Sequence, residues 1–424
     1  MTMSIYITLI ILLSMLTSLL AVCWIFFKIL KIAKEKNLVD NPDARKLQKT
    51  PVPLVGGIAV FFGVVFGVLF GVSLFFLCGQ YLECPDFSMA RLLPIVLAMS
   101  IMLYAGAIDD ILGLPPMARF IIEILVVLGV VFSTGTCVDS LHGLWGMSAF
   151  PWWFAVPLTV FAGVGIINSV NMVDGVNGLS SGLCMVCSFL FGAVFVSVGD
   201  YPNALLAFVM SAALLPFLVH NVFGNTSRMF IGDAGTMVMG MLMAWFVISA
   251  LHNATPLLPY ADDCCIVALV LAVLAVPVSD TLRVMTMRIL RGRSPFSPDR
   301  THLHHAFVAI GVSHSITALS EICINLFVVL AWYLSVVLGA PKQCQLYVVV
   351  LVAAFLVWGT YFFLEHERSS NSRKARWLRN FSPKTHFGSR EWWQRISFFL
   401  DSPEYSEHER KNLRERLERK FMHR

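Results

Sequence analysis

Residues 5–27 read IYITLIILLSMLTSLLAVCWIFF, without one charged side chain. As an α-helix, a stretch of this length crosses the hydrocarbon core of a bilayer, which takes roughly 20 residues. No small-residue cleavage site follows it, and the nearest charges lie on its C-terminal side. The pattern therefore indicates a retained first transmembrane span and not a signal peptide.

Comparable apolar stretches recur along the whole chain. Of its 424 residues, 57% are hydrophobic and 13% are charged, whereas about a quarter of the residues in soluble domains are charged. Only helices and closed barrels satisfy backbone polar groups in lipid, and several stretches are hydrophobic all round, so we expect an all-α polytopic membrane protein with about eleven transmembrane helices. The predicted spans are 5–27, 54–77, 92–108, 117–135, 152–168, 179–198, 203–220, 235–251, 264–282, 316–339 and 345–364.

Lysine and arginine predict the orientation of these spans. With the loops taken alternately and the long C-terminal tail left out, one side carries fourteen Lys and Arg residues and the other carries Arg91 and Lys342. Because basic loops stay in the cytoplasm, we expect the N-terminus outside and the C-terminus in the cytoplasm. We divide the chain into a transmembrane domain with cytoplasmic loops, 1–364, and a basic cytoplasmic tail, 365–424.

The tail accounts for most of the net charge of +5. No soluble basic domain and no basic patch interleaved with aromatic residues accompanies it, so no nucleic-acid partner is expected. Its stretch REWWQRISFFL, 390–400, combines basic and aromatic residues, as helices in the lipid headgroup region do. Ser402 and Pro403 predict the start of a second, highly charged helix ending near Lys420. A solvated tail near anionic lipid and a partner-binding element both stay open.

Four stretches rich in acids, amides and glycines lie at the cytoplasmic ends of the predicted spans. A charge at membrane depth costs about 2.5–3.5 kcal/mol on insertion scales, so acids such as Asp109, Asp110 and Asp174 need a partner or a function. Together these residue types predict a divalent cation with oxygen ligands and a phosphate-bearing substrate. The stretches are NLVDNPDARKLQKTPVPLVGG (37–57), AGAIDDILGLPPMAR (105–119), NSVNMVDGVNGLSSG (168–182) and RMFIGDAGT (228–236).

Each stretch also has a purely structural interpretation. Asp109 and Asp110 would suit the cap of the helix that follows them. The amide and acid run from Asn168 to Asn177 steps by three, which places its members on one face if the segment is helical. The glycines within that run favour instead a helix end that opens into a loop with backbone close to a ligand.

A fifth stretch, RGRSPFSPDRTHLHH (291–305), gathers arginines and histidines on the same predicted side. Zinc prefers about four nitrogen and sulfur ligands, and His302, His304 and His305 have no cysteine nearby in the sequence. Arginine forks beside histidines suit phosphate oxygens, which they bind in pairs with charge assistance. We interpret this stretch as a phosphate clamp and not as a zinc site.

In this order along the chain, AGAIDD, NSVNMVDGVNG, FIGDAG and SPFSPDRTHLHH resemble the motifs of the polyprenyl-phosphate N-acetylhexosamine-1-phosphate transferase family. The chain most resembles bacterial members that use UDP-GlcNAc and undecaprenyl phosphate. The resemblance covers about residues 35–310 and leaves out the tail after 365. It implies transfer of GlcNAc-1-phosphate with release of UMP, dependent on Mg²⁺ or Mn²⁺, at the cytoplasmic face of the bacterial inner membrane. Such transfer initiates O-antigen and related surface polysaccharides. A homodimer is an open alternative to a monomer.

The resemblance also implies roles for individual residues. Asp233 and Asn171 would hold the metal, and Asp109 and Asp110 would arrange that metal or deprotonate the lipid phosphate. The other residues are expected to bind substrate or act in catalysis. They are Asp40 and Lys49 at the lipid phosphate, Arg119 at phosphate, Phe230 and Asn177 at uracil, Arg300, His302, His304 and His305 at the diphosphate and sugar, and Asn168 and Asp174 as further substrate-binding residues.

The chain departs from the family at three positions. Asn177 stands where close bacterial relatives carry aspartate, Thr236 where serine is usual, and Gln48 where the basic loop has histidine. Alternative functions are phospho-MurNAc-pentapeptide transfer, transfer from another UDP-HexNAc, or membrane transport. The first fits less well because its last loop ends in three consecutive histidines and an acid, where this chain reads HLHHAF. Transporters place ionisable residues near the midplane, whereas these gather at one face.

Overall fold

The computed structural model describes residues 2–40, 51–79, 89–147, 149–252, 264–295, 301–370 and 372–404. Long helices account for most of this part of the chain, and the only sheet within it is one short β-hairpin. The elements are α1 Thr2–Glu35, β1 Val39–Asp40, β2 Val52–Pro53, α2 Gly56–Gly79, α3 Met89–Leu112, α4 Pro116–Thr134, α5 Trp152–Met172, α6 Leu179–Ser197, α7 Tyr201–Phe223, α8 Gly232–His252, α9 Ile266–Val273, α10 Ala275–Leu290, α11 Leu303–Ala309, α12 His314–Val337, α13 Lys342–Ala353, α14 Gly359–Ser369, α15 Arg373–Phe381 and α16 Glu391–Asp401.

The all-α membrane architecture expected from the sequence is confirmed. Ten of the described helical stretches are long and apolar enough to span a membrane, and the pair formed by α9 and α10 would make an eleventh. That pair bends by 80°, so the span expected at 264–282 is not one straight helix. Pro277 lies one turn beyond the break and removes a backbone donor. The Asn325 side chain of α12 pairs with backbone groups that the break leaves without helical partners. It accepts from Val276 N (3.0 Å) and donates to Val273 O (2.9 Å).

Helix α8 lies at the centre of the bundle, and its apolar stretch is completely buried. Small residues let neighbouring helices approach its N-terminal end. A Cβ added at Gly57 of α2 would lie 2.3 Å from the backbone N of Gly235, and one added at Gly106 of α3 would lie 2.5 Å from Cα of Ala234. The backbone N–H groups of Gly56 and Gly57 donate to the carbonyls of residues 230 and 231 (3.0 and 2.9 Å). The start of α8 is therefore held in a fixed position between α2 and α3.

The described part of the C-terminal tail packs against the bundle. The helix expected at 390–400 is present as α16, Glu391–Asp401. The aromatic ring of Trp393 packs against Phe223 at the end of α7, with ring centroids 4.5 Å apart. A short 3₁₀ turn, Ser402–Glu404, follows α16, and the rest of the second predicted tail helix lies outside the described residues.

Candidate active site

A polar cavity of about 540 Å³ opens where several helix ends meet. The ends of α3, α5 and α7, the start of α8 and the segment before α12 all contribute to its wall. β1 brings Asp40 to the same cavity, because Asp40 pairs with Val52 of β2 and the adjoining Pro53 O accepts from Phe230 N (2.8 Å). The lining residues are Asp40, Leu54, Asp109, Asp110, Asn171, Asp174, Gly175, Val176, Asn177, Ser180, Phe217, Asn221, Arg228, Phe230, Ile231, Gly232, Asp233, His305 and His314.

Asp110 serves as the N-terminal cap of α8. Its carboxylate accepts from the backbone N–H groups of Asp233 (2.8 Å) and Ala234 (3.1 Å), two of the donors that a helix start leaves without partners. Gly232 has a φ of +71°, and a Cβ there would meet Asp110 Oδ2 at 2.5 Å. The two acids of the pair therefore differ. Asp110 caps a helix far along the chain, and Asp109 accepts from the following loop at Leu114 N (2.7 Å).

Arg119 joins the carboxylates of the site. Its guanidinium contacts Asp109 Oδ2 at 3.2 Å and Asp233 Oδ1 at 3.5 Å, and its Nε donates to Glu123 Oε1 at 3.3 Å. Glu123 is fully buried and accepts a second hydrogen bond from Asn168. Buried charges in a bundle need such partners, so Glu123 fixes one side of the guanidinium while the other side faces the two aspartates.

The last turn of α5 places Asn171 against the start of α8. Its amide nitrogen lies 2.6 Å from both Asp233 Oδ1 and Thr236 Oγ1. Asp233 itself is 36% exposed at its side chain, so one face of the carboxylate stays open to the cavity. Thr236 supplies the same hydroxyl that a serine would supply, which explains why threonine is tolerated at this position.

α5 ends at Met172, and the residues after it form the loop that the glycines predicted. The Asp174 carboxylate accepts from Ser180 Oγ (2.6 Å). Although Asp174 is exposed to the cavity, the protein around it excludes much of the bulk solvent, and this desolvation raises its pKa to about 6. Asn177 points into the cavity, and its backbone N lies 3.3 Å from His314 Nδ1.

The histidines of the 291–305 stretch occupy different environments. His302 is buried, with Nδ1 2.9 Å from Asp280 Oδ2, and Asp280 also accepts from Arg283 Nε (3.0 Å) and from Leu303 N (3.2 Å). His304 is buried behind Gly175, and burial lowers the pKa of its imidazole well below the usual range. Only His305 of the three lines the cavity.

The site can accommodate a divalent cation that substrate helps to bind. Within the described ranges, no group of three or more His, Cys, Asp and Glu side chains is arranged to hold a metal alone. Mg²⁺ is usually bound through one or two carboxylates together with substrate phosphates and water. The open carboxylate face of Asp233, beside Asn171 and Asp109, fits that mode. The donor set is all oxygen, which suits Mg²⁺ or Mn²⁺ better than zinc.

Most residues expected from the sequence are brought together. Asp40, Asp109, Asp110, Asn171, Asp174, Asn177, Phe230, Asp233 and His305 line the cavity, and Arg119 lies at its margin. Asn168, His302 and His304 lie behind the cavity wall. Lys49 and Arg300 lie outside the described residues.

Several functional candidates did not stand out in the sequence. Asn221 and His314 line the cavity but lie within or at the start of apolar spans. Asp280, Arg283 and Glu123 form buried ion pairs, and their only signal was a charge inside an apolar stretch. A charged residue within an apolar stretch shows that a partner is needed, but it does not identify the residue that supplies the opposite charge.

Comparison with known proteins gives one consistent result. Residues 92–251 match glycosyl transferase family 4. The chain is 32% identical to the undecaprenyl-phosphate alpha-N-acetylglucosaminyl 1-phosphate transferase of Yersinia pestis and 30% identical to that of Escherichia coli K12, over 66% of this chain and 72% of each relative. It is also 30% identical to the probable undecaprenyl-phosphate N-acetylglucosaminyl 1-phosphate transferase of Bacillus subtilis, over 71% of this chain and 78% of that protein.

Proposed function

The chain belongs to glycosyl transferase family 4, and we infer that it transfers N-acetylglucosamine 1-phosphate from UDP-GlcNAc to undecaprenyl phosphate. A phosphate oxygen of the lipid forms a bond to the sugar-bearing phosphorus of UDP-GlcNAc. The bond from that phosphorus to the oxygen bridging to UMP breaks, and UMP leaves with the electron pair. The observation that carries this function is the convergence of Asp109, Asp233 and Arg119 within hydrogen-bond or ion-pair distance at the cavity.

Mg²⁺ or Mn²⁺ is the proposed cofactor, held by Asp233 and Asn171 with Asp109 close by. When bound, such a cation offsets negative charge on the diphosphate during transfer. Arg119 offers a fixed fork of donors to the same phosphates, because Glu123 orients it from behind. Asp110 keeps the Asp233 backbone in place through the α8 cap.

The uridine end of the donor is proposed to lie near Phe230 and Asn177. Both residues line the cavity, and an aromatic face and an amide are suited to stack on uracil and to pair with its imide edge. His305 and the residues of the 291–305 stretch beyond the described ranges would take the diphosphate and sugar. Asp40 lines the cavity beside Leu54 and would face the lipid phosphate together with Lys49.

The proposed location is the cytoplasmic face of a bacterial inner membrane, with the N-terminus outside. The excess of Lys and Arg on one side supports this orientation, and every lining residue belongs to the end of the bundle with those loops. A role at the start of O-antigen or related polysaccharide synthesis is the biological setting proposed for this chemistry. A homodimer stays a prediction, measurable by mass photometry.

The deciding experiment measures UMP release by the purified protein in detergent. Undecaprenyl phosphate is supplied with UDP-GlcNAc, UDP-GalNAc or UDP-MurNAc-pentapeptide, after removal of bound metal and re-addition of Mg²⁺ or Mn²⁺. We expect release with UDP-GlcNAc, dependent on both the lipid and the cation. Release only with UDP-MurNAc-pentapeptide would assign the alternative family activity. Absence of release with every donor, combined with solute flux in proteoliposomes, would favour a transporter. Loss of activity with a zinc-selective chelator and recovery with zinc would overturn the phosphate interpretation of 291–305.

A further inference from the structure

The described part of the C-terminal tail touches two loops that carry residues of the active-site cavity. We call residues 382–404 the C-terminal clamp. One end of the clamp contacts the loop 225–228, and the other contacts residues 311–313. These loops lead directly to Phe230 and to His314, which both line the cavity.

Asp401 is the centre of the first contact. It is 1% exposed, and its carboxylate accepts from the backbone N–H groups of Asn225 (3.2 Å), Thr226 (3.2 Å) and Ser227 (3.0 Å) and from Ser227 Oγ (2.6 Å). A buried carboxylate that accepts several hydrogen bonds fixes the donors it binds, because leaving any of them unpaired is costly. The conformation of loop 225–228 therefore depends on a residue 174 or more positions away in the sequence.

Two further contacts hold the same loop. Lys34 at the end of α1 donates to Thr226 O (2.8 Å) and forms an ion pair with Glu404. The ring of Trp393 packs on Phe223, just before the loop. The clamp is thus attached to α1 and α7 on either side of the loop.

The second contact is made around Gly311. Ser382 donates to Gly311 O, and a Cβ at Gly311, where φ is +95°, would lie 2.6 Å from Ser382 Oγ. Ser313 donates from Oγ to Thr385 O (2.7 Å) and from N to Thr385 Oγ1 (3.1 Å), and both residues are buried. The next residue is His314, whose Nδ1 faces the backbone N of Asn177.

Loop 225–228 ends in Arg228, a cavity-lining residue. Its Nε is buried and makes no hydrogen bond to any atom of the described chain, while Asp401 attracts its positive charge from behind. An arginine at a cavity wall is suited to bind a phosphate oxygen, because its guanidinium offers several N–H donors in a fixed fork. The charge of Arg228 acts on His314, whose Nδ1 lies 3.3 Å from the backbone N of Asn177, the residue proposed to bind uracil.

We propose that the C-terminal clamp is part of the donor site. Asp401 is a positioning residue that orders loop 225–228, so that Arg228 contacts a phosphate of the bound uridine nucleotide. This proposal rests on the transferase function inferred above. It gives the tail, which lies outside the 1–364 transmembrane domain, a role in binding the UDP-GlcNAc donor.

Calorimetric binding of UDP-GlcNAc to the full-length protein tests the proposal, with UMP release measured in parallel. Asp401→Ala and Arg228→Ala should each weaken donor binding about tenfold, the size expected for losing a charge-assisted contact. KM for undecaprenyl phosphate and kcat should change less than about threefold, because neither residue touches the lipid phosphate. In the double variant the loss should not exceed that of Arg228→Ala alone, since both substitutions remove one interaction.

Controls separate positioning from general destabilisation. Arg395→Ala removes an exposed ion pair with Glu391 on the same clamp and should leave donor binding unchanged. If Asp401→Ala fails to fold, Ser227→Ala removes the shortest hydrogen bond to Asp401, together with the contact of the same hydroxyl to His220 Nδ1, and should weaken binding about threefold. Unchanged donor binding in a folded Asp401→Ala or Ser227→Ala, or fully additive losses in the double variant, would overturn the proposal.

Failure of the inferred function has a different signature. A wild-type protein that binds UDP-GlcNAc but releases no UMP would disprove the transferase function while leaving the clamp effect on binding readable. A wild-type protein that binds no UDP-GlcNAc would overturn both conclusions.

Discussion

The carboxylate of Asp110 accepts a hydrogen bond of 2.8 Å from the backbone N–H of Asp233. Two acids that the sequence suggested as metal-site partners therefore have different tasks in the structure. Asp110 holds the first turn of α8, while the Asp233 side chain faces the cavity. The acid proposed to bind the cation is therefore distinct from the acid that caps its helix.

Replacing Asp233 should abolish transfer. Asp233→Asn removes the open charged oxygen ligand, so we expect a loss of at least about 100-fold in kcat that saturating Mg²⁺ does not restore. Asp139→Asn is a matched control, because Asp139 pairs with His252 at the opposite end of α8. UMP release as a function of Mg²⁺ concentration measures both variants. Retained transfer by correctly inserted Asp233→Asn would remove this residue from the metal site.

Replacing Asp110 should lower kcat less than replacing Asp233 does, and it should leave the Mg²⁺ dependence of activity unchanged. Asp110→Asn keeps one acceptor oxygen but turns a donor toward the α8 start, so we expect a stability loss of about 1–2 kcal/mol and a lower kcat. The Mg²⁺ concentration for half-maximal activity should not change. If that concentration rises as it does when a ligand is lost, Asp110 binds the metal directly.

Asn168 was expected to bind substrate, but its amide contacts Glu123 behind Arg119. We expect Asn168→Ala and Glu123→Gln to lower kcat about 10- to 100-fold, as substitutions behind a functional group do, while KM for UDP-GlcNAc stays within about twofold. Steady-state kinetics with varied donor gives both constants. A raised KM with kcat unchanged in Asn168→Ala would return Asn168 to the substrate site.

The buried charges around Asp280 should govern stability more than chemistry. Asp280→Ala leaves Arg283 and His302 without their carboxylate, and loss of one partner of a buried pair costs about 3–5 kcal/mol. Thermal unfolding in detergent should show a clear decrease in Tm. Glu391→Ala breaks an exposed pair instead and should cost less than about 1 kcal/mol. Equal Tm values for these two variants would contradict the conclusion that the buried ion pairs of Asp280 stabilise the fold.

Asn177 should accept from uracil through its side-chain carbonyl, as an aspartate would. Asn177→Asp is therefore expected to be tolerated, whereas Asn177→Ala leaves a uracil group without its partner at a cost of about 1–3 kcal/mol. KM for UDP-GlcNAc reports this cost, and the Mg²⁺ requirement should stay the same. If Asn177→Ala changes the Mg²⁺ requirement but not donor affinity, the residue belongs to the metal site.

The sequence alone determined the membrane class and the helical architecture, and it singled out many of the residues that line the cavity. Apolar runs near 20 residues long leave no alternative to helices in lipid. Because charges at membrane depth are costly, Asp109, Asp110 and Asp174 are marked as residues that need a partner or a function. The glycines after Asn171 correctly predicted that α5 ends there. These features are local, because they depend on residue type and spacing.

Only the tertiary structure decided which polar groups meet. The partner of Asp110 lies 123 residues away, and that of Asp401 lies 174 residues away at Ser227. The break between α9 and α10 depends on the Asn325 side chain of another helix. Hydrogen bonds and ion pairs act over about 3 Å, and many helix arrangements share the same apolar pattern, so sequence spacing cannot select among them. The separation of cavity-lining His305 from buried His302 and His304 follows from packing alone.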